Sequence, residues 1–582
     1  MATASQQDWR LRPVDPAIVD GIAAATSLSP VMARVLAARG VAPNVAIDHL
    51  QPSLRKSLVD PSGLDGMDAL AKRLAAAVRD GETIGIFGDY DVDGTTAAAI
   101  LALYFRRIGA AFAVHLPDRL TEGYGPSVGA MEQLQARGAS VVVTVDCGAA
   151  AHDVVDAASD LGLDMVVIDH HLMDDEGPAK AIAVVNPQKP SDASGLTNLS
   201  AAGLAFMAVV ALNRSLRNAG YFAAATPEPD LKSFLDLAGL GLVCDVMSMT
   251  GLARVIVAQG LKALAAPIGN LGLKALADAA GAKTPYSSYT FGFQLGPRIN
   301  AAGRVGHAQQ AFELLTTEDP DRRIELANRL HEMNASRQAI ESQVQTEAIA
   351  QIETSGRRDD PVIVVAGEGW HPGVVGIVAG RLKDKYARPT LVIGLDNGVG
   401  KGSGRSLSGV DLGGAIVAAR QAGVLVAGGG HEMAAGLTVD ADKIDALRDF
   451  LAPRLAPFVH AAINNRRRSI DAVIAASSVS RRFVDDIAQA GPFGPDNPEP
   501  IFVIRDLSIA SVRPVGVNHL SVNFIDGGGQ SVRAIAFRAI GERLGDILSN
   551  APAVHVAGRV SADDWRGGDA AQLQIVDAMP AE

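Results

Sequence analysis

The sequence predicts an α/β protein: a mostly parallel, doubly wound domain, a helical connector, a second α/β domain and a C-terminal OB-like β-barrel. Three observations carry this. Between residues 76 and 265, short β-branched runs alternate with helical patterns, the rhythm of βαβ units. A long polar helical pattern then precedes a second set of strand-like runs from residue 361. Beyond residue 463, about five short β-rich segments follow one another, which suits a small closed barrel.

The elements read in order as five units. Residues 1–75 look helical: Ser29-Pro30 opens an alanine-rich helix that Gly40 ends, and this region is expected to cap the domain that follows. In 76–265, strands are expected at 83–88, 113–116, 141–145 and 165–168, with a helix at 95–108. The connector, 266–355, contains a helical pattern over 308–353 with Ile324, Ala327, Leu330 and Asn334 along one face and charge on the others, as in a solvent-bridging spacer. Residues 356–462 form the second α/β domain, with strands at 361–366 and 389–393 and glycine-rich turns near 400 and 428. In 463–582, after the basic run Arg466-Arg467-Arg468, strands are expected at 502–504, 520–524, 532–537, 554–560 and 572–576. A barrel of this kind is a usual platform for single-stranded nucleic acid; a protein-binding module is the alternative.

Composition bounds the class. The chain has 582 residues, 48% of them hydrophobic, enough for several cored domains and too apolar for disorder. No uninterrupted apolar stretch is long enough to span a bilayer, and the start lacks a basic-then-apolar leader, so a cytoplasmic location is expected. The formal net charge of −12 speaks to solubility, whereas phosphate binding depends on local clusters such as Arg119, Arg298, Arg304, Lys401 and Arg405.

The most informative stretch runs from Thr83 to Gly94, an apolar strand ending in Asp89-Tyr90-Asp91-Val92-Asp93-Gly94. A helix-capping role explains one carboxylate but hardly three, and three like charges need a cation to neutralise them. Hard oxygen ligands at this spacing suit Mg²⁺ or Mn²⁺. The pattern repeats: Asp146 follows the 141–145 run, Asp169-His170-His171 follows 165–168, and Asp245 follows an apolar run from Leu237. Each alone has a bland reading as a cap or a surface histidine; four such ends in one sheet converge on one crevice. The two cysteines, Cys147 and Cys244, adjoin Asp146 and Asp245 and are expected in the core under the site rather than on a metal or in a disulfide. Gly402-Ser403-Gly404-Arg405-Ser406 lacks the spacing of a Walker or dinucleotide loop, yet its successive amides, a hydroxyl and Arg405 suit an anion-sized nest; a plain turn is the alternative.

With these motifs stand Arg39-Gly40, Glu122-Gly123-Tyr124-Gly125, a run from Gly296 to Arg304, Trp370-His371-Pro372-Gly373, Gly428-Gly429-Gly430-His431 and Pro492-Phe493-Gly494-Pro495-Asp496-Asn497-Pro498. In this order they resemble the RecJ family of single-strand-specific 5′ exonucleases within the DHH phosphoesterase superfamily. The resemblance implies a 5′-3′ exonuclease acting on single-stranded DNA, releasing 5′-mononucleotides in repair and recombination by two-metal hydrolysis. It implies single-stranded DNA as partner, with a single-strand-binding protein or helicase as further candidates. Asp91 and Asp146 would hold one Mg²⁺ or Mn²⁺ ion, and Asp93, Asp146, His170 and Asp245 the other. Many relatives place a histidine where Phe87 stands, so Asp89 is expected to complete the first site. Asp169 would orient a histidine or accept from backbone, and His171 would meet the scissile phosphate. Arg119, Arg298, Asn300, Arg304, Ser403, Gly404 and Arg405 would bind backbone or terminal phosphates, in a channel between the α/β domains too narrow for duplex. Tyr124 and Trp370 are candidate stacking rings or core residues. His431 reads evenly as cleft lining or structural. Rival classes are a DHH pyrophosphatase or small-nucleotide phosphodiesterase, a non-catalytic scaffold and a dehydrogenase; the last is disfavoured because acids stand where a dinucleotide turn needs glycines.

Overall fold

The computed structural model describes residues 8–119, 121–173, 175–465, 467–563 and 566–581, so the leading residues 1–7 and Arg466 of the expected basic run lie outside the description. The chain divides into two compact units, one from Trp9–Gly296, Ala311–Ile324 and Ser469–Glu582, the other from Pro297–Gln310 and Glu325–Arg468.

In the larger unit five strands form a wholly parallel sheet in the order Phe112–His115, Thr83–Gly88, Ala139–Val145, Asp164–Ile168, Ala183–Val185. Ile84, Ile86, Val141, Val143 and Ile168 are all buried, as strands covered on both faces require. Phe87, Val142 and Met165 share one core with Met131, Leu134 and Val155 from helices Val128–Ala136 and His152–Asp160. Strand order reverses between Thr83–Gly88 and Ala139–Val145, so ligands are expected beyond the carboxyl ends of these two strands.

The barrel closes the same unit. Its strands run Phe502–Val515, His519–Ile525, Ser531–Ala536, Ala571–Pro580, Ala553–Ala562, and the last pairs back with the first. The opening strand is 14 residues long, against three expected. Register shifts at Ile504/Leu507 and Ile509/Ser511 bend it so that one strand serves both neighbours.

Of the expected cap, helix Met67–Asp80 does lie against the parallel sheet, where a Cβ on Gly66 would stand 2.8 Å from Val184 O, but helices Pro16–Ala25 and Pro30–Ala38 do not. Ser29 Oγ accepts the Met32 amide at 3.3 Å and Gly40 ends the turn at φ 77°, as the sequence indicates. Their apolar faces, Ile22, Met32, Val35 and Leu36, lie in one core with Phe502, Phe524 and Val556 of the barrel, not over the parallel sheet. Arg39 fastens them by a nearly buried ion pair with Asp471, Nη1 to Oδ1 2.6 Å.

In the smaller unit the sheet order is Ala427–His431, Ala434–Asp440, Val399–Arg405, Thr390–Asp396, Ile363–Glu368, with only the last pair parallel. The glycine segment near 400 is thus a strand, not a turn. Its amides are committed to ladders on both sides, Ser403 pairing with Val392 and Gly436, so no backbone nest exists there. The glycines serve packing: a Cβ on Gly404 would lie 2.7 Å from Leu412 and 2.8 Å from Leu391. Gly428-Gly429-Gly430-His431 is likewise strand.

The connector pattern resolves into helices Ala308–Thr316 and Pro320–Ser355, the second 36 residues long. Ala327, Leu330 and Asn334 are buried and Ile324 is exposed. Farther along, Val344, Ala348 and Ile352 join the core of Ile363, Val365 and Val374, so this half is an integral part of the sheet's cover rather than a solvated spacer. Among the described residues no single helix is long and apolar enough to cross a membrane.

Candidate metal centre

The Thr83–Gly88 strand delivers Asp89 into the crevice, where the Asp89 amide donates to Val145 O at 3.3 Å. Asp91 caps helix Val92–Arg107, accepting the amides of Asp93 and Gly94 at 2.9 and 3.1 Å. The helix can begin this close to the strand because position 94 has no side chain: a Cβ there would stand 2.6 Å from Asp89 backbone. Asp93, buried in the first turn, accepts from Ser200 Oγ at 2.7 Å and from the amides of Ala201 and Ala202 at 2.6 and 3.1 Å.

Asp146 leaves its strand at φ 65°, a left-handed conformation that Asp tolerates better than most residues. The turn aims its carboxylate inward, 3.1 Å from His170 Nε2. Asp245 Oδ2 and Asp93 Oδ2 lie 3.6 and 3.8 Å from the same nitrogen. Three carboxylates thus converge on one imidazole nitrogen, which has at most one proton to offer. Asp245 is the residue capping helix Leu235–Cys244, which corrects the expected strand end; the apolar run from Leu237 is a helix buried all round.

Charge is unbalanced here. Burial and Asp91 push Asp89 and Asp93 up to about 7; burial, Asp93 and Asp91 push Asp245 to about 8; Asp146 is raised well above the carboxylate range by burial and Asp91. Burial, then His171, lowers His170 to about 4, leaving a neutral imidazole able to ligate. Asp89 Oδ1 is buried with no hydrogen-bond partner among the described residues. Ligand atoms of Asp89, Asp91 and Asp146 lie within 4.8 Å of one another, as do those of Asp93, His170 and Asp245. This donor set, all carboxylate and imidazole with an orphaned oxygen, fits hard divalent cations. Phe87 is core, its ring stacked on His115 at 5.5 Å, while Asp89 supplies an oxygen beside Asp91.

Asp169 is occupied otherwise. It accepts from the amides of Ala149, His170 and His171 and from His171 Nδ1 at 2.7 Å. Burial would raise its pKa, but the His171 hydrogen bond and these amides hold it below the usual range. In return the bond to Asp169 raises the half-exposed His171. The imidazole it orients is therefore His171, not His170.

Tyr124, 56% exposed, donates from its hydroxyl to Asp146 O at 3.0 Å and meets the His171 ring edge-on. Arg119 lies over the Tyr90 ring at 5.0 Å, on the loop that follows Phe112–His115. In the smaller unit, Arg304 Nη1 donates to Gly373 O at 2.9 Å, Arg298 approaches His331 Nδ1 at 3.3 Å, and Asn300 shares their helix Gly296–Val305. Ser403 and Arg405 share one face of their strand and border Gly376, where a Cβ would be 3.4 and 3.2 Å from them. His431 is exposed at a strand end. Trp370 corrects its candidacy as a stacking ring: it is 5% exposed, lies against Gly367 and Gly394, and its indole N–H donates to Glu347 at 2.6 Å. Gly404 is likewise a packing position.

Sequence reasoning passed over Ser200, which holds Asp93, Asn186, whose Nδ2 donates to His171 O at 2.9 Å, and Gly241. A Cβ on Gly241 would fall 2.4 Å from Asp93 Oδ1 and 2.5 Å from Ala202; the signal was a small residue inside a leucine-rich helix. Gly241→Val should therefore displace Asp93, lower stability by about 1–3 kcal/mol and weaken Mn²⁺ binding; urea unfolding together with titration calorimetry checks both, and a wild-type ion affinity would show that Asp93 has room to spare.

A parallel sheet with these acids and an Asp-His-His triplet at its switch point defines a phosphoesterase of the DHH class. Residues 83–241 match the DHH family N-terminal domain, 359–456 the DHHA1 domain and 470–577 the RecJ OB domain. The chain is 34% identical to the single-stranded-DNA-specific exonuclease RecJ of Dickeya dadantii, over 95% of this chain and 96% of that one, and 32% identical to its Escherichia coli counterpart with the same coverage. The crystal structure of RecJ in complex with Mn²⁺ from Thermus thermophilus superposes with a TM-score of 0.78 at 28% identity, covering 99% of this chain and 80% of that one. The chain belongs to the RecJ family.

Proposed function

We propose that this protein is a metal-dependent exonuclease specific for single-stranded DNA, working from the 5′ end and releasing 5′-mononucleotides. The observation that carries the reading is the convergence of Asp93, Asp146 and Asp245 on His170 Nε2, beside Asp89 and Asp91 beyond the carboxyl ends of the central strands. Asp89, Asp91 and Asp146 would hold one Mg²⁺ or Mn²⁺ ion, and Asp93, Asp146, His170 and Asp245 the other, with Asp146 shared. Two such ions activate water near neutral pH and disperse charge on the phosphoryl group.

The chain's own groups do the rest. Asp169 fixes the ring of His171, whose raised pKa favours the cation and so a hydrogen bond to a phosphate oxygen. Ser200 and the amides beside it hold Asp93 in place and favour its carboxylate form against the opposing effects of burial and Asp91. Tyr124 offers an exposed ring to a base. Arg119, Arg298, Asn300, Arg304, Ser403, Arg405 and His431 supply phosphate contacts, Arg405 with Ser403 at a 5′ phosphate. We place the enzyme in the cytoplasm, in repair and recombination, where a helicase or single-strand-binding protein presents the strand.

Strands labelled at either end, single or duplex, digested with Mg²⁺, Mn²⁺ or chelator, test this. Labelled mononucleotide should come first from the 5′ end of single strands and only with metal; release from 3′ ends, or undiminished cleavage in chelator, would overturn it. Arg405→Ala should reduce the preference for a 5′ phosphate over a 5′ hydroxyl by about tenfold, and equal rates on both ends in the unaltered protein would remove Arg405 from that role.

A further inference from the structure

The motif from Pro492 to Pro498 has no part in the reaction so far, yet its contacts lead to Asp245. Immediately after Asp245 the helix ends in a left-handed cap: Val246 stands at φ 59°, and the Val246 and Met247 amides donate to Val243 O and Leu242 O at 3.2 and 3.1 Å. The segment that follows this cap is held from two sides. Asn198 Nδ2 donates to Ser248 O and Thr250 O at 3.3 and 3.0 Å. Opposite, Pro495 O accepts the Met249 amide at 2.8 Å, and the Met249 side chain is buried against Gly494, where a Cβ would come within 3.1 Å of it.

The loop that supplies Pro495 is itself braced. Gly494 and Asn497 exchange backbone hydrogen bonds at 3.0 and 3.2 Å. Asn497, 3% exposed, donates from Nδ2 to Ala490 O and Pro492 O at 3.2 and 2.9 Å. Arg254, buried, donates to Ala490 O and Gly491 O, and Arg39 to Pro498 O at 2.9 Å. On the other side, Asn198 stands two residues before Ser200, whose hydroxyl holds Asp93. The two carboxylates flanking His170 are therefore tied through one bracket whose outer limb is the 491–498 loop.

We propose that loop 491–498 is a positioning strap: by holding Met249 it sets Asp245 against Asp93 and His170, so the cation site they form depends on a segment outside the parallel-sheet domain. This rests on the two-ion reading of the centre. The strap touches no substrate atom, and its signature is ion affinity rather than DNA affinity.

The test uses the full chain without DNA, titrated with Mn²⁺ by calorimetry and electron paramagnetic resonance, then assayed for turnover across Mn²⁺ concentration. Asn497→Ala should weaken the ion held by Asp93, His170 and Asp245 by about 10- to 100-fold, the range for losing an outer support of a ligand, with kcat recovering at high Mn²⁺ and single-strand binding in chelator unchanged. Asn198→Ala should do the same from the opposite limb, and Asp245→Asn should lose that ion without recovery. Met249→Ala, which keeps the amide bond to Pro495, serves if Asn497→Ala does not fold and should show a smaller shift of the same kind. Wild-type affinity for both ions in folded Asn497→Ala and Asn198→Ala proteins would overturn the strap. Failure of the unaltered chain to bind two ions would instead remove the reading beneath it.

Discussion

Asp146→Ala is expected to abolish turnover, by at least on the order of 10³-fold, while single-strand binding in chelator survives. Among the described residues no other carboxylate falls both with Asp89 and Asp91 and, through a 3.1 Å approach, with His170, so on the proposed assignment its loss would remove a ligand from both cation sites at once. The backbone at φ 65° complicates the alanine variant, because alanine tolerates that region less well than aspartate. Asp146→Asn is the necessary companion: it keeps a side chain suited to the left-handed turn and removes only the charge. Both variants should be inactive, and the asparagine form should unfold at the wild-type urea concentration. Turnover within tenfold of wild type in Asp146→Asn would show that this carboxylate is not shared.

The second large effect is a reversal of pH dependence by metal. In the folded chain Asp89 and Asp93 titrate at about 7 and Asp245 at about 8, against about 3.9 when unfolded. Between these values the folded chain binds more protons, so stability falls as pH rises; the contribution is complete below about 4 and lost by about 8. His170 runs the other way, folded about 4 against about 6.5 unfolded, and its contribution is lost as pH falls. From pH 6.5 to 8, then, the carboxylates dominate, and protein in chelator should become less stable. Mn²⁺ must displace those protons, so it should stabilise more at pH 8 than at 6.5, adding about 2.7 kcal/mol per site at a hundredfold excess over its Kd. Urea unfolding at the two pH values, with Mn²⁺ and with chelator, measures this; a Mn²⁺ effect equal at both would mean that the ions do not sit on these acids.

The parallel sheet was legible because Val141 to Val145 and Met165 to Ile168 are β-branched runs too short for helices, and because Asp89, Asp91 and Asp93 crowd the end of one such run. Asp245 was placed in the right crevice but on the wrong element, a strand end where the chain has a helix end. Its preceding run is buried on every side, and a short continuous apolar run carries no period to separate helix from strand. The strand around Ser403 was hidden for another reason: glycine usually marks a turn, yet Gly402 and Gly404 alternate to admit Ile393, Leu437, Leu391 and Leu412. Trp370 was ambiguous because an aromatic ring suits a core as well as a base. The destination of the helices at 16–38 lay beyond any local pattern, since their partners in the barrel domain stand more than 430 positions away.

That last arrangement bears on biosynthesis. Ile22, Met32 and Leu36 emerge from the ribosome long before Phe502, Phe524 and Val556 exist to cover them. At ordinary translation rates the delay is on the order of a minute, during which a greasy helical pair waits without its final shelter. Messages cut short before the barrel would strand that pair permanently, making premature stops a source of sticky chains for chaperones and proteases to clear.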